Sequence, residues 1–232
     1  MRYLFLGKSK YLILLVLFLA ADSGFSKFDS KKKIVVANKC SLYDELNLAE
    51  IGLKESIFNK ALAGWNNLVR QQHIQKANLL SIADLTQSSN SKRLYVIDME
   101  NRKVLFNTYV AHGRNSGEEY AYLFANKPES FKSSLGFYIT GETYNGAHGL
   151  SMKLFGVERG INDDAEQRGI VMHGAPYVSE SFIRQNGRLG RSQGCPAVPI
   201  ELCNPIVNCI KSGSGFFMFY PDSNYYKSSS LL

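Results

Sequence analysis

The sequence predicts a mainly β domain, a closed or sandwiched sheet with short helices, preceded by an α-helical segment. Three observations carry that reading. Residues 92–222 contain several short runs rich in Val, Ile, Phe and Tyr, separated by Gly-containing loops. Ahead of them, residues 42–85 place Ile57, Ala61, Leu62, Trp65, Leu68 and Val69 at spacings of three and four, the period of one helix face. Between the two lies "TQSSNSKR", Thr86 to Arg93, a polar linker.

Taken in chain order, the first element is an export signal, expected over residues 1–23. Arg2, Lys8 and Lys10 precede an apolar run from Tyr11 to Ala21, and small and polar residues follow at once in "DSGFS". Eleven helical residues span about 16 Å, short of a bilayer core of roughly 30 Å, so no membrane span is expected after cleavage. An uncleaved anchor is the alternative. Residues 24–91 form the helical region and linker, with Trp65, the single tryptophan, as a core anchor and His73 as a surface or packing residue. "RLYVIDM" and "KVLFNTYVAH", separated by "ENR", read as a hairpin. "LGFYITGETY", "GIVMHGA" and "GFFMFYPD" read as further strands. A short helix is expected to start near Pro205, capped by Asn204, and to end at Gly213. Residues 223–232, "SNYYKSSSLL", are expected to be a flexible tail.

The 232 residues carry a formal charge of +7, which becomes +4 when the three basic residues of the signal are removed. That excess suits an anionic polymer surface. It does not indicate nucleic acid, because no Lys/Arg block with interleaved aromatics occurs. The four cysteines, Cys40, Cys195, Cys203 and Cys209, are too sparse for a disulfide scaffold. Their spacing lacks the close CxxC pairs of zinc sites, so no metal is expected. Cys203 and Cys209 read as packing residues.

Cys195 differs from these. It stands between Gly194 and Pro196 in the Gly/Arg/Ser-rich stretch "GRLGRSQGCPAVP", a loop that presents a thiol. His173 ends the predicted strand "IVMHGA", 22 residues earlier. A thiol with pKa near 8.5 is only about 3% ionised at pH 7, and cysteine nucleophiles are commonly activated by an adjacent imidazole. The order His before Cys at this interval fits neither the papain nor the caspase pattern. Pro196 pushes Cys195 toward extended backbone and offers no N–H of its own. An oxyanion hole at this loop must therefore draw on the N–H groups of Gln193, Gly194 or Cys195. On these residues alone, a buried thiol with a core histidine stands beside a nucleophile with its base.

The segment "HGAPYVSESFIRQNGRLGRSQGCPAVP" resembles the active-site segment of the L,D-transpeptidase catalytic-domain family, and in particular its murein subfamily with a GRSxGCPA signature. "VAHGRNSG", "SSLGFYITGETYNGAHGLSMKL" and "RGIVMHGA" resemble the same subfamily. The likeness runs from about Arg93 to Pro221. It implies a β-rich, L,D-transpeptidase-like sandwich or barrel with the nucleophile in a loop under a flap. It also implies Cys195 as nucleophile, His173 as base, Gly174 as the carbonyl that orients the imidazole, and Ser192 as the motif serine. Gln193 to Cys195 would then form the oxyanion hole. Two departures stand out: Gln193 replaces the second histidine common in the family, and the interval from His173 to Ser192 is longer. The second leaves Tyr177 to Arg188 free to form an extra loop over the site.

The resemblance implies an acyl transfer through a thioester on a peptidoglycan stem tetrapeptide, with release of the terminal D-amino acid and capture by an amine. No metal or organic cofactor is implied, and the place of action would be the periplasm or cell envelope. Water as acceptor would make the protein an L,D-carboxypeptidase or a wall-linkage hydrolase, and a loop with an ordinary thiol would make it an inactive wall-binding module. Arg191 would bind a stem-peptide carboxylate or be a solvated loop charge. His148 and Tyr144 are tentative substrate-binding residues, with loop capping the competing role for both His112 and His148. Arg184 and Arg188 read as surface residues.

Overall fold

The computed structural model describes residues 41–232. The export signal over 1–23, Cys40 and the start of the 24–91 region lie outside the described residues. Among the described residues, no helix is long and apolar enough to cross a membrane.

The chain is mainly β. After a short helix α1 (Leu42–Glu45) and a longer α2 (Glu55–Arg70), the strands run β1 (Leu79–Asp84), β2 (Leu94–Asp98), β3 (Lys103–Thr108), β4 (Gly136–Gly146), β5 (Gly149–Gly156) and β6 (Val171–Gly174). Helix α3 (Glu180–Asn186), strand β7 (Ala197–Val198), helix α4 (Ile200–Ile210), strand β8 (Gly215–Phe219) and helix α5 (Ser223–Ser228) complete it. The strands form one eight-stranded sheet in the order β3-β2-β1-β8-β4-β5-β6-β7. Its two edges meet: just past β3, Ala111 bridges Ala197 of β7, its N–H donating to the Ala197 carbonyl at 2.8 Å. This bridge turns the open sheet toward a barrel and removes unpaired edge groups beside the Cys195 loop.

The expected β2–β3 hairpin forms with "ENR" in its turn. The Asp98 carboxylate accepts the N–H groups of Glu100 and Asn101, which fixes the reversal. The strands expected in "LGFYITGETY", "GIVMHGA" and "GFFMFYPD" also form. One strand was hidden. The helical pattern expected to about Leu85 ends at Arg70, and Leu79–Asp84 is β1, set centrally between β2 and β8. All six of its residues are buried, so it has no polar alternation, and a short apolar run reads equally as helix or strand. The boundary expected at residues 91/92 therefore falls inside one fold. Arg93, at the end of the supposed linker, is fully buried.

Alternate residues of the central strands enter two cores. Phe217, Phe219, Phe137, Leu80 and Ile82 face α2, where Ile57, Phe58, Ala61, Trp65 and Leu68 cover them. Trp65 is the core anchor expected, and its indole N–H donates to the Leu79 carbonyl at 3.1 Å. Phe216, Met218, Tyr138, Met152, Leu154 and Met172 face α4. That helix starts at Ile200, with Pro199 at the N-cap position, rather than at Pro205, and it ends at Ile210 with Lys211 as C-cap rather than at Gly213. The reason is its apolar stripe, Cys203, Ile206, Val207 and Ile210, whose spacing of three, one and three gains more from burial than Pro205 loses in one backbone hydrogen bond. Cys203 is buried and Cys209 half-buried, both as free thiols.

The expected flexible tail is instead packed. Asp222 caps α5 by accepting the N–H groups of Asn224 and Tyr225, and Tyr225 and Leu231 are buried. The Tyr225 and Ser229 hydroxyls both donate to the buried Glu158 carboxylate, whose other partner is the Phe137 N–H. "SNYYKSSSLL" carries its apolar residues only as the pairs Tyr225–Tyr226 and Leu231–Leu232, so a tail anchored by two of them and one buried carboxylate gives no periodic signal.

Gly64 of α2 lies against the ring of Phe137: a Cβ there would sit 2.1 Å from Cζ. Phe137 is fully buried and stacked on Phe217 at 4.1 Å, so it cannot withdraw. Ala would gain up to about 1 kcal/mol in helix propensity, but overpacking costs about 1–3 kcal/mol or more. Gly64→Ala is therefore expected to lower the melting temperature, by about 2–4 °C per kcal/mol of net loss. A melting temperature equal to or above wild type would contradict the close packing of α2 on the sheet.

Candidate active site

Strand β6 sets the first half of the site. It pairs in parallel with β7, and the register places His173 beside Ala197, two residues past Cys195. The His173 ring is buried, and its Nδ1 lies 3.0 Å from the Gly174 carbonyl. A carbonyl only accepts, so Nδ1 carries the hydrogen and Nε2 keeps a free lone pair. Burial, aided by nearby His148, pushes the His173 pKa below the ordinary histidine value, though the Gly174 carbonyl opposes this. The ring is a neutral base at neutral pH.

The loop before β7 sets the second half. Ser192 Oγ donates to the Cys195 carbonyl at 2.6 Å and accepts the Gly194 N–H at 3.0 Å. Ser133 Oγ donates to the Gly194 carbonyl at 3.1 Å and accepts the Gly113 N–H at 3.0 Å. Gly194 has φ +123°, and a Cβ there would lie 2.8 Å from the Lys132 carbonyl oxygen. Both facts require glycine. Of the three N–H groups expected to face an oxyanion, that of Gly194 is thus committed to Ser192. Those of Gln193 and Cys195 have no partner among the described residues.

Cys195 is half-buried. Its Sγ accepts the Val171 N–H at 3.5 Å and donates toward the Gly169 carbonyl at 3.7 Å. Burial pushes the thiol above its ordinary pKa, opposed by the Val171 N–H and the Arg168 guanidinium. No hydrogen bond joins Sγ to His173 among the described residues. The resting pair is therefore a neutral thiol and a neutral imidazole rather than an ion pair.

Cys195 and His173 open into one cleft of about 590 Å³, which Tyr144, His148, Gln193, Ser192 and Arg191 also line. His148, at the tip of the β4–β5 hairpin, stacks on His173 with centroids 4.6 Å apart and planes 22° apart. Arg191 is neither free nor fully solvated: it donates to the Arg114 and Gly117 carbonyls and pairs with Glu118 at 2.7 Å. Arg188, expected at the surface, shares that carboxylate at 2.7 Å, while Arg184 is exposed. The stretch Tyr177 to Arg188 contains α3, capped by Ser179 and closed by Gly187 in the left-handed region. His112 does not line the cleft. It is buried behind the loop, where Arg93 Nη2 donates to its Nδ1 at 2.7 Å and its backbone carbonyl accepts the Ser192 N–H.

The sequence singles out none of Arg114, Arg168, Phe131 or Tyr177 for a role, yet all four line the cleft. Their signal is weak because each comes from a loop whose course depends on contacts distant in sequence. Among the described residues, no three His, Cys, Asp or Glu side chains converge as metal ligands.

A family model described as the L,D-transpeptidase catalytic domain matches residues 49–219. No curated protein matches the chain. Among solved structures, it is similar to an L,D-transpeptidase from Mycobacterium smegmatis at 13% identity and a TM-score of 0.39, covering 62% of this chain and 59% of that one. It is also similar to the helical cell shape determining protein Pgp2 from Campylobacter jejuni, at 17% identity and a TM-score of 0.41, covering 62% and 48%. The chain thus spans less than two thirds of these solved relatives.

Proposed function

Because the chain belongs to the L,D-transpeptidase catalytic-domain family, we propose that it is an exported cysteine acyltransferase acting on peptidoglycan stem peptides in the periplasm or cell envelope, of the murein type that its GRSQGCPA segment resembles. The observation that carries this reading is the shared cleft of Cys195 and His173, with the imidazole tautomer set by Gly174 so that Nε2 is the base.

The reaction runs in two halves. Cys195 Sγ turns from the Gly169 carbonyl toward His173 and gives its proton to Nε2 as the S–C bond forms at the carbonyl of the third stem residue. The oxyanion is received by the Cys195 and Gln193 N–H groups. The imidazolium then protonates the leaving nitrogen, the C–N bond breaks and the terminal D-amino acid departs, leaving a thioester. An amine from a neighbouring stem attacks the thioester, loses its proton to His173, and the C–S bond breaks to restore the thiol. Tyr144, His148 and Arg191 line the path by which substrate enters.

Mass spectrometry of the mature protein incubated with disaccharide-tetrapeptide muropeptides tests this. Cross-linked dimers that vanish in Cys195→Ala are the expected outcome. Tripeptide without dimers would assign an L,D-carboxypeptidase. Untouched substrate with no acyl-enzyme mass would leave a wall-binding module and overturn the proposal.

A further inference from the structure

The resting thiol poses an electrostatic problem. Burial disfavours its anion, and no hydrogen bond ties it to the imidazole. A cation held in place would lower that barrier, since an opposite charge within about 4–6 Å lowers an acid's pKa by about 1–3 units. The cleft contains several charged or titratable groups besides the thiol. His173, from β6, is neutral, and His148 stacks on the imidazole rather than on the thiol. Tyr177, from the segment after β6, is pushed up to about 12 and is neutral as well. Arg191 is paired with Glu118, and the Arg114 guanidinium lies over the Phe131 ring at 4.0 Å. Glu129, on the loop before β4, is exposed.

That leaves Arg168. It precedes Gly169, whose carbonyl the thiol touches, and its Nη2 lies 3.3 Å from where a Gly194 Cβ would be, beside the residue before Cys195. Its guanidinium is fixed by neutral acceptors. Nη1 donates to the Ala125 carbonyl at 2.9 Å and to Ser134 Oγ, and Nη2 to the Lys132 carbonyl at 2.6 Å and to Ser130 Oγ at 3.3 Å. It makes no ion pair among the described residues. The Asp164 carboxylate and the buried Tyr138 hydroxyl face it from farther off, so a half-buried cation with four hydrogen bonds and no directly paired carboxylate gains from an anion forming beside it.

We propose that Arg168 is the electrostatic partner of the Cys195 thiolate: a positioning residue, clamped by the 125–134 segment, whose charge is balanced when the nucleophile ionises. The proposal rests on Cys195 being the nucleophile.

The test uses the full mature chain and needs no substrate, so it stands apart from the muropeptide assay. Alkylation of Cys195 by iodoacetamide is followed by peptide mass from pH 5.5 to 10, with Cys195→Ala as background for the other thiols. In Arg168→Gln, which keeps polar contacts but loses the charge, the midpoint should rise by about one pH unit and the rate at pH 7 should fall about tenfold. Arg168→Lys should recover most of that loss. Should Arg168→Gln fail to fold, Ser130→Ala, which frees one arm of the guanidinium, should give a smaller rise. An unmoved midpoint in the folded variants overturns the proposal. So does an equal fall at every pH in Arg168→Gln and Arg168→Lys, which marks a packing role. A raised KM for muropeptides with an unmoved midpoint also overturns it, since the guanidinium would then serve a substrate carboxylate.

Discussion

Cys195→Ala should lose acyl transfer by a factor of about 10⁴ or more, and His173→Ala by about 10²–10⁴. The first removes the atom that forms the covalent bond, so whatever remains comes from binding and the oxyanion donors alone. The second leaves a nucleophile without its base, the ordinary range for one proton-transfer partner. His173→Ala should also slow alkylation of Cys195, because the thiol is held above its ordinary pKa and needs an acceptor for its proton. The pH dependence has a definite sign. In the proposed reaction His173 works as the neutral ring, and its pKa lies below the ordinary 6.5. The rate should therefore stay level as pH falls toward 6.5 and decline only at lower pH, as the ring takes up a proton. A decline centred above pH 7 would contradict the buried, carbonyl-tethered imidazole. So would a His173→Ala variant that reacts like wild type.

Acid should open the Cys195 loop from behind. His112 is 1% exposed, accepts a hydrogen bond from Arg93, and is pushed down to about 3, first by burial and then by the Arg93 charge. In the unfolded chain it titrates near 6.5. Between these values the unfolded state binds the extra proton, so stability that is complete above about pH 6.5 drains away as pH falls toward 3. At 1.36 kcal/mol per unit, the loss from this one ring over that span is on the order of 5 kcal/mol, a large part of the 5–15 kcal/mol of an ordinary domain. Urea unfolding at pH 7, 5.5 and 4.5 should show a steep loss in wild type. In His112→Gln, whose amide oxygen can still accept from Arg93 and which does not titrate, the slope should be shallower. Equal slopes would mean that the imidazole is protonated in the folded protein. The His112 carbonyl holds the Ser192 N–H, so inactivation should precede or accompany unfolding.

Local chemistry was the legible part of this chain. Cys195 between Gly and Pro, His173 at a strand end and the "ENR" reversal are each written within a few residues, and the structure places each where local rules put it. β1 was illegible because it is covered on both faces, which erases the alternation that marks a strand. The start of α4 is not legible because Pro205 reads as a first-turn residue, whereas burial of the stripe from Cys203 to Ile210 decides the matter. The engagement of the Gly194 N–H follows from a side chain two residues away, the Ser192 hydroxyl. Nothing in a linear pattern reports that contact. Arg168 lies in a segment whose likeness to the family is plain, "RGIVMHGA". What gives its charge meaning is the ring of acceptors from 125–134, and those meet it only in the folded chain.

The pairing of β1 with β8 governs when the molecule can assemble. Leu80 lies beside Gly215, 135 residues later, and the two strands sit at the middle of the sheet. An emerging chain can form the β2–β3 hairpin early, but the sheet lacks its centre until the last tenth of the sequence arrives. Contacts of such long range make folding slow and late.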